Sequence, residues 1–121
     1  MAEYRLLTIW RIEAPLEAVY AAIHNSPRWP DWWPGMQKVE EVTAGDASGI
    51  NSVLRYVWQG QLPYQMVFEV RATRIEKCVA IEGAVQGDLE GVGRWHFISE
   101  GAVSVVQYEW HVRSTRLWMN L

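Results

Sequence analysis

The chain has 121 residues, 50% hydrophobic and 21% charged, with a formal net charge of −3. That length supports one domain with a real core, and the composition excludes a disordered tail-like chain. Lys and Arg are scattered singly with no basic face, so nucleic acid is excluded as the expected partner, and no apolar run approaches the ~20 residues that span a bilayer. The opening Met1-Ala2-Glu3-Tyr4-Arg5 carries no signal-peptide pattern. Cys78 stands alone, so no intrachain disulfide can form, and a cytoplasmic setting is expected, with Cys78 read as a small buried hydrophobe on a strand. The aromatic content is skewed: eight Trp and five Tyr against two Phe. Trp and Tyr join a large apolar body to one polar handle, which suits ligand-facing surfaces as well as cores.

In chain order, Tyr4 to Ile12 reads as a strand, with Leu6, Thr8, Trp10 and Ile12 on one face and Arg5, Leu7, Ile9 and Arg11 on the other. Ala14-Pro15 opens a helix with proline at the first helical position. Leu16, Val19, Tyr20 and Ile23 give it one apolar stripe, and Asn25-Ser26-Pro27 ends it. His24 closes the last turn, where a cation is favoured by the helix dipole. Pro27 to Gly35, PRWPDWWPG, has too many prolines for a long helix; a helical turn or two that folds its Trp side chains back onto the domain is expected.

From there on the sequence is strand and turn. Lys38 to Ala44 precedes a turn at Gly45–Gly49, and Val53 to Gln59 precedes a turn at Gly60–Pro63. Tyr64 to Thr73 alternates cleanly, with Tyr64, Met66, Phe68 and Val70 on one side. Glu76-Lys77 turns into Cys78 to Glu82, and a glycine-rich bend leads to a long strand from Asp88 to Ser99. Glu100-Gly101 connects it to Val103 to Thr115. In these last two strands Asp88, Glu90, Arg94 and His96 oppose Leu89, Gly91, Gly93, Trp95 and Phe97. Likewise Gln107, Glu109, His111 and Arg113 oppose Val106, Tyr108, Trp110 and Val112. Such alternation predicts an antiparallel sheet wet on one side, and the absence of βαβ repetition excludes a parallel one.

This order, β-α-α-β6, resembles the START/Bet v 1-like (SRPBCC) superfamily, and in particular its bacterial polyketide cyclase/dehydrase-type members. The resemblance runs the length of residues 1–121, taken as a single domain, and is carried by Ile12–Tyr20 (IEAPLEAVY), Trp29–Gly35 (WPDWWPG), Gly87–Trp95 (GDLEGVGRW) and Val106–Trp110 (VQYEW). It implies an α+β helix-grip fold: a strongly bent antiparallel sheet around an apolar cavity. It also implies a long C-terminal helix across the concave sheet. The sequence ends at Leu117–Leu121, where such a helix would be starting, so the expectation is either a truncated version without the long C-terminal helix or a concave face covered by something else, such as a second copy in a homodimer.

On that bend, Tyr56, Trp58, Tyr64, Met66, Phe68, Trp95, Phe97, Tyr108 and Trp110 line the concave side and are the candidate ligand-binding residues. Gly91 and Gly93 on the same face leave room for a ligand or for a bend. The charged residues of the last two strands face solvent. A metal site from His96, His111 and Glu109 lacks any supporting spacing, no cofactor motif is present, and no nucleophile signature exists, so no catalytic residue is assigned. Three readings follow. The first is a non-catalytic module binding a hydrophobic small molecule, such as an aromatic polyketide, lipid or isoprenoid. The second is a polyketide cyclase or dehydratase, which needs an acid or base inside the cavity. The third is an interaction domain holding a partner helix on the concave sheet.

Overall fold

The computed structural model describes residues 3–59 and 63–115. Strand β1 (Glu3–Ile12) leads into helix α1 (Leu16–His24) and a 3-10 helix (Ser26–Asp31). Six strands follow: β2 (Met36–Thr43), β3 (Val53–Trp58), β4 (Met66–Glu76), β5 (Ala80–Gly87), β6 (Leu89–Glu100) and β7 (Val103–Ser114). They form one seven-stranded antiparallel sheet in the order β1-β7-β6-β5-β4-β3-β2. Every neighbour except β1 and β7 is consecutive in sequence, so the sheet is a meander of hairpins. The last strand returns beside the first.

Period-two patterning sets which face is buried. In β6 Leu89, Trp95 and Phe97 are buried, while in β7 Val106 and Val112 are buried; all belong to one core with Tyr56, Met66 and Phe68. The partners Trp95↔Tyr108 and Phe97↔Val106 sit directly opposite each other, so the two apolar rows face the same side. Helix α1 lies against β6 and β7 on that side, burying Val19, Tyr20 and Ile23. Its nine residues would be marginal alone, and the apolar stripe supplies its stability. The 3-10 helix returns Trp29 to the core, where the buried indole N–H donates to the Ala22 carbonyl at 3.3 Å. Trp33 is half-buried on the same cluster and Trp32 stays exposed.

Several local features differ from the sequence reading. Pro15 is the N-cap, with ψ 142°, and helical geometry begins at Leu16. Tyr64 precedes β4, which starts at Met66 and runs to Glu76, and β5 continues to Gly87. Cys78 is not on a strand. It occupies the left-handed position (φ 60°) of the turn closed by the Val79 N–H to Glu76 carbonyl bond at 2.9 Å, and it is half-buried. Asp88 sits in the bend before β6, where its Oδ2 accepts the Val67 N–H at 2.8 Å; it splices the start of β4 to the β5–β6 connection. The expected absence of a long C-terminal helix, and most of the expected turn at Gly60–Pro63, concern residues outside those described.

Gly91 has φ 150°, and a Cβ there would lie 2.1 Å from the His111 carbonyl oxygen and 2.8 Å from Val112 Cα. The missing side chain at this position therefore serves close strand approach, the bend alternative of the two expected. At Gly93 the neighbour is the Trp110 ring, 4.0 Å from the Cβ position, and the ring of the directly opposed residue covers the glycine.

Candidate functional site

The concave face is divided into two parts. Toward one end α1 and the 3-10 helix cover it, and Phe97 packs edge-on against Tyr20 with ring centroids 5.0 Å apart. Trp95 lies flat on Tyr108 at 3.7 Å and within ring contact of Trp10, Trp29 and Trp33. The remainder of the face is open and forms a cavity of about 400 Å3, within the range that accepts drug-sized ligands.

Seven of the nine candidate residues line this cavity: Tyr56 and Trp58 from β3, Tyr64, Met66 and Phe68 on and before β4, and Tyr108 and Trp110 from β7. Trp95 and Phe97 share their face but lie beneath the helices, in the floor. Alternation reports the face of a residue and carries no information on where a helix crosses it. The walls also include residues not among the candidates. Val70, Leu89 and Val112 follow from the same alternation, as do Tyr4, Leu6 and Thr8 from β1. Trp29 and Trp33 enter from the proline-rich segment, whose irregular backbone gives no periodic signal, and Met36 enters from the first position of β2.

The lining is chemically narrow. Among the described residues around the cavity there is no Asp, Glu, His, Lys or Arg. Its polar groups are hydroxyls and indole N–H groups. The Tyr56 hydroxyl donates to Ser26 Oγ at 2.9 Å, tying β3 to the 3-10 helix, and burial pushes its phenol up to about 12. Burial raises Tyr108 well above the ordinary phenol value too, with Tyr56 adding to the effect. Both remain neutral donors at physiological pH. Trp58 Nε1 is buried with no hydrogen-bond partner among the described residues.

The charged residues of β6 and β7 occupy the convex face. Arg113 meets Glu90 at 3.0 Å and Arg94 approaches Glu82 at 3.9 Å, while Arg55 bonds Glu69 at 2.8 Å. Such pairs at or near the surface contribute at most about 1 kcal/mol each. A wider, shallower depression of about 460 Å3 lies among Arg55, Glu69, Gln86, Gly87, Glu90 and Thr115, and its charges are already matched with one another or with Arg113. Among the described residues no group of three His, Cys, Asp or Glu is placed to hold a metal ion. Nor is any helix there long and apolar enough to cross a membrane.

A bent antiparallel sheet gripping a helix over an apolar cavity defines the helix-grip fold of the START/Bet v 1-like proteins. Residues 12–119 match the family described as polyketide cyclase/dehydrase and lipid transport, and the chain belongs to that family. No curated protein matches the sequence. Solved structures are similar in fold at low identity. A START superfamily protein from Mycobacterium smegmatis superposes with a TM-score of 0.78 at 15% identity, over 93% of this chain and 79% of that one. A protein from Thermus thermophilus gives 0.80 at 17%, over 94% and 77%. The Zhui aromatase/cyclase from a Streptomyces species gives 0.72 at 15%, over 95% and 72%.

Proposed function

We propose that this chain, acting as one domain over residues 1–121, binds an uncharged hydrophobic small molecule of polyketide, lipid or isoprenoid type in the concave cavity. The observation that carries the reading is the cavity wall itself: about 400 Å3 lined by aromatic and aliphatic side chains, with phenol and indole donors as its only polar groups beside Thr8. Burial of ligand surface contributes roughly 25 cal/mol per Å2, and the rings of Trp58, Phe68 and Trp110 add stacking. An ionised ligand would enter without a countercharge, which low dielectric penalises. The reading includes a cytoplasmic location, supported by the lone thiol, and no nucleic-acid partner, supported by the paired convex charges.

The family's description and the likeness to an aromatase/cyclase favour a second reading, in which the cavity also catalyses cyclisation or dehydration. That chemistry wants a group whose pKa lies near the working pH, whereas burial moves Tyr56 and Tyr108 away from it. Binding without catalysis therefore fits the lining better.

Native mass spectrometry of the purified chain, before and after denaturation, tests the binding reading. A co-purifying small molecule supports it, and a co-purifying polypeptide replaces it with a helix-binding function. Titration with anthraquinone and farnesol, read by Trp fluorescence, gives the second arm. If neither probe changes the emission and no small molecule co-purifies, the cavity is not a ligand site.

A further inference from the structure

We propose that two copies of this chain pair edge to edge through β1, antiparallel about a two-fold axis at Leu7, and that the second copy continues the open wall of the cavity. The sheet has two edges, β1 and β2. An unpaired edge strand presents a row of free main-chain groups, and proteins blunt such edges with bulges, charges and short strands. The β2 edge is blunted: it is eight residues long, has two register shifts against β3, and carries Lys38, Glu40 and Glu41. The β1 edge is not. Its ten residues pair with β7 in unbroken register from Glu3↔Arg113 to Ile12↔Ser104, with no Gly, Pro or Lys.

Exposure points to the same partner geometry. Leu6 is 59% exposed on the concave side, while Leu7 and Ile9 are 62% and 50% exposed on the convex side. A ligand or lid on the concave face would leave Leu7 and Ile9 wet, whereas a strand alongside β1 covers both faces at once. The register follows from the charges. With the axis at Leu7, Glu3 of each copy lies opposite Arg11 of the other, Arg5 opposite Ile9, Tyr4 opposite Trp10 and Leu6 opposite Thr8. Moving the axis to Thr8 sets Arg5 against Arg11, and moving it to Leu6 leaves Glu3 facing Ile9. Arg11 now bonds Glu100 at 3.0 Å in an exposed pair, which re-pairs at little cost. Because Tyr4, Leu6 and Thr8 line the cavity, the second copy's strand becomes an extension of its wall.

Light scattering on the size-excluded 121-residue chain across a concentration series is the test. The parent is expected to be a dimer. Glu3→Arg alone and Arg11→Glu alone each place like charges opposite at two symmetric positions and weaken dimerisation about ten-fold; Glu3→Arg/Arg11→Glu together restores it. Leu7→Lys, at an exposed position that folding does not use, abolishes the dimer with the far-UV circular dichroism unchanged. A 14 kDa monomer at every concentration overturns the proposal. So does a dimer indifferent to these substitutions, or one that the double exchange fails to restore.

Discussion

Replacing Tyr56 with Phe separates two consequences of one buried hydroxyl. Tyr56 and Ser26 are 6% and 3% exposed, and their hydroxyls are joined at 2.9 Å. Near neutral pH the substitution removes one buried hydrogen bond and is expected to cost about 1 kcal/mol. At high pH the sign of the contribution changes. Folding holds the phenol near 12 against an ordinary value of 10.0 by burying it, so the unfolded chain ionises first. The stabilising contribution is complete below pH 10 and drains as pH rises toward 12. At about pH 11 the loss is roughly 1.4 kcal/mol, one pKa unit's worth. The parent's advantage over Tyr56→Phe should therefore shrink from about 1 kcal/mol near pH 7 toward zero near pH 11, the other titrating groups being common to both proteins and Tyr108 losing only the smaller, Tyr56-derived part of its shift. Urea unfolding followed by Trp fluorescence at the two pH values measures the gap. A gap that stays constant would refute the assignment of a buried, neutral phenol.

Gly91→Ala drives a Cβ to 2.1 Å from the His111 carbonyl oxygen, and that oxygen belongs to the β7 backbone, which has no rotamer to give. A loss of more than about 3 kcal/mol, or failure to fold, is expected in urea unfolding. Trp58→Phe removes a buried N–H that has no partner among the described residues. It is expected to cost under about 1 kcal/mol in thermal unfolding, since the lost indole area is offset by the orphaned donor removed with it. Asp88→Ala takes away the acceptor for the Val67 N–H and should cost about 1–2 kcal/mol in the same measurement.

Alternation made much of the sheet legible before any coordinate. Tyr64, Met66, Phe68 and Val70 share the cavity wall, as their spacing requires, and the phase of β6 and β7 separates Trp95 and Tyr108 from Arg94 and Glu109. The hairpin order follows from turns at Gly45–Gly49 and Gly101. What the sequence left open depends on tertiary bending. Phe97 and Phe68 have the same pattern of neighbours, yet one meets Tyr20 of α1 and the other faces the cavity, because only the path of the helix distinguishes them. Cys78 reads as strand by composition, and its left-handed turn is invisible because cysteine carries no φ > 0 signal. Trp29 and Trp33 enter the wall from a segment whose prolines erase any period.

The Trp count has two separate causes. Trp33 contacts Trp10, Trp29, Trp32, Trp95 and Tyr108, and Trp29 reaches Tyr56 as well, so one continuous aromatic assembly runs from β1 through the 3-10 helix to β7. Rings packed at centroid distances of 3.7 to 6.4 Å have little freedom to rearrange. They anchor a proline-rich segment whose main-chain bonds, such as Trp33 N–H to the Trp29 carbonyl at 2.7 Å, are only local. Trp58 and Trp110 lie on the strands of the open wall, Trp110 edge-on to Phe68 and to Tyr108, each at 5.5 Å. The anchored rings form a preformed floor, so a ligand need order only the outer wall, and less of the gross burial energy is spent on fixing side chains. Composition alone suggests a pocket paved with Trp. In the fold most of the described tryptophan belongs to the anchored assembly, and on the proposed reading ligand selection falls to the rings and hydroxyls of β3, β4 and β7 beside Trp29 and Trp33.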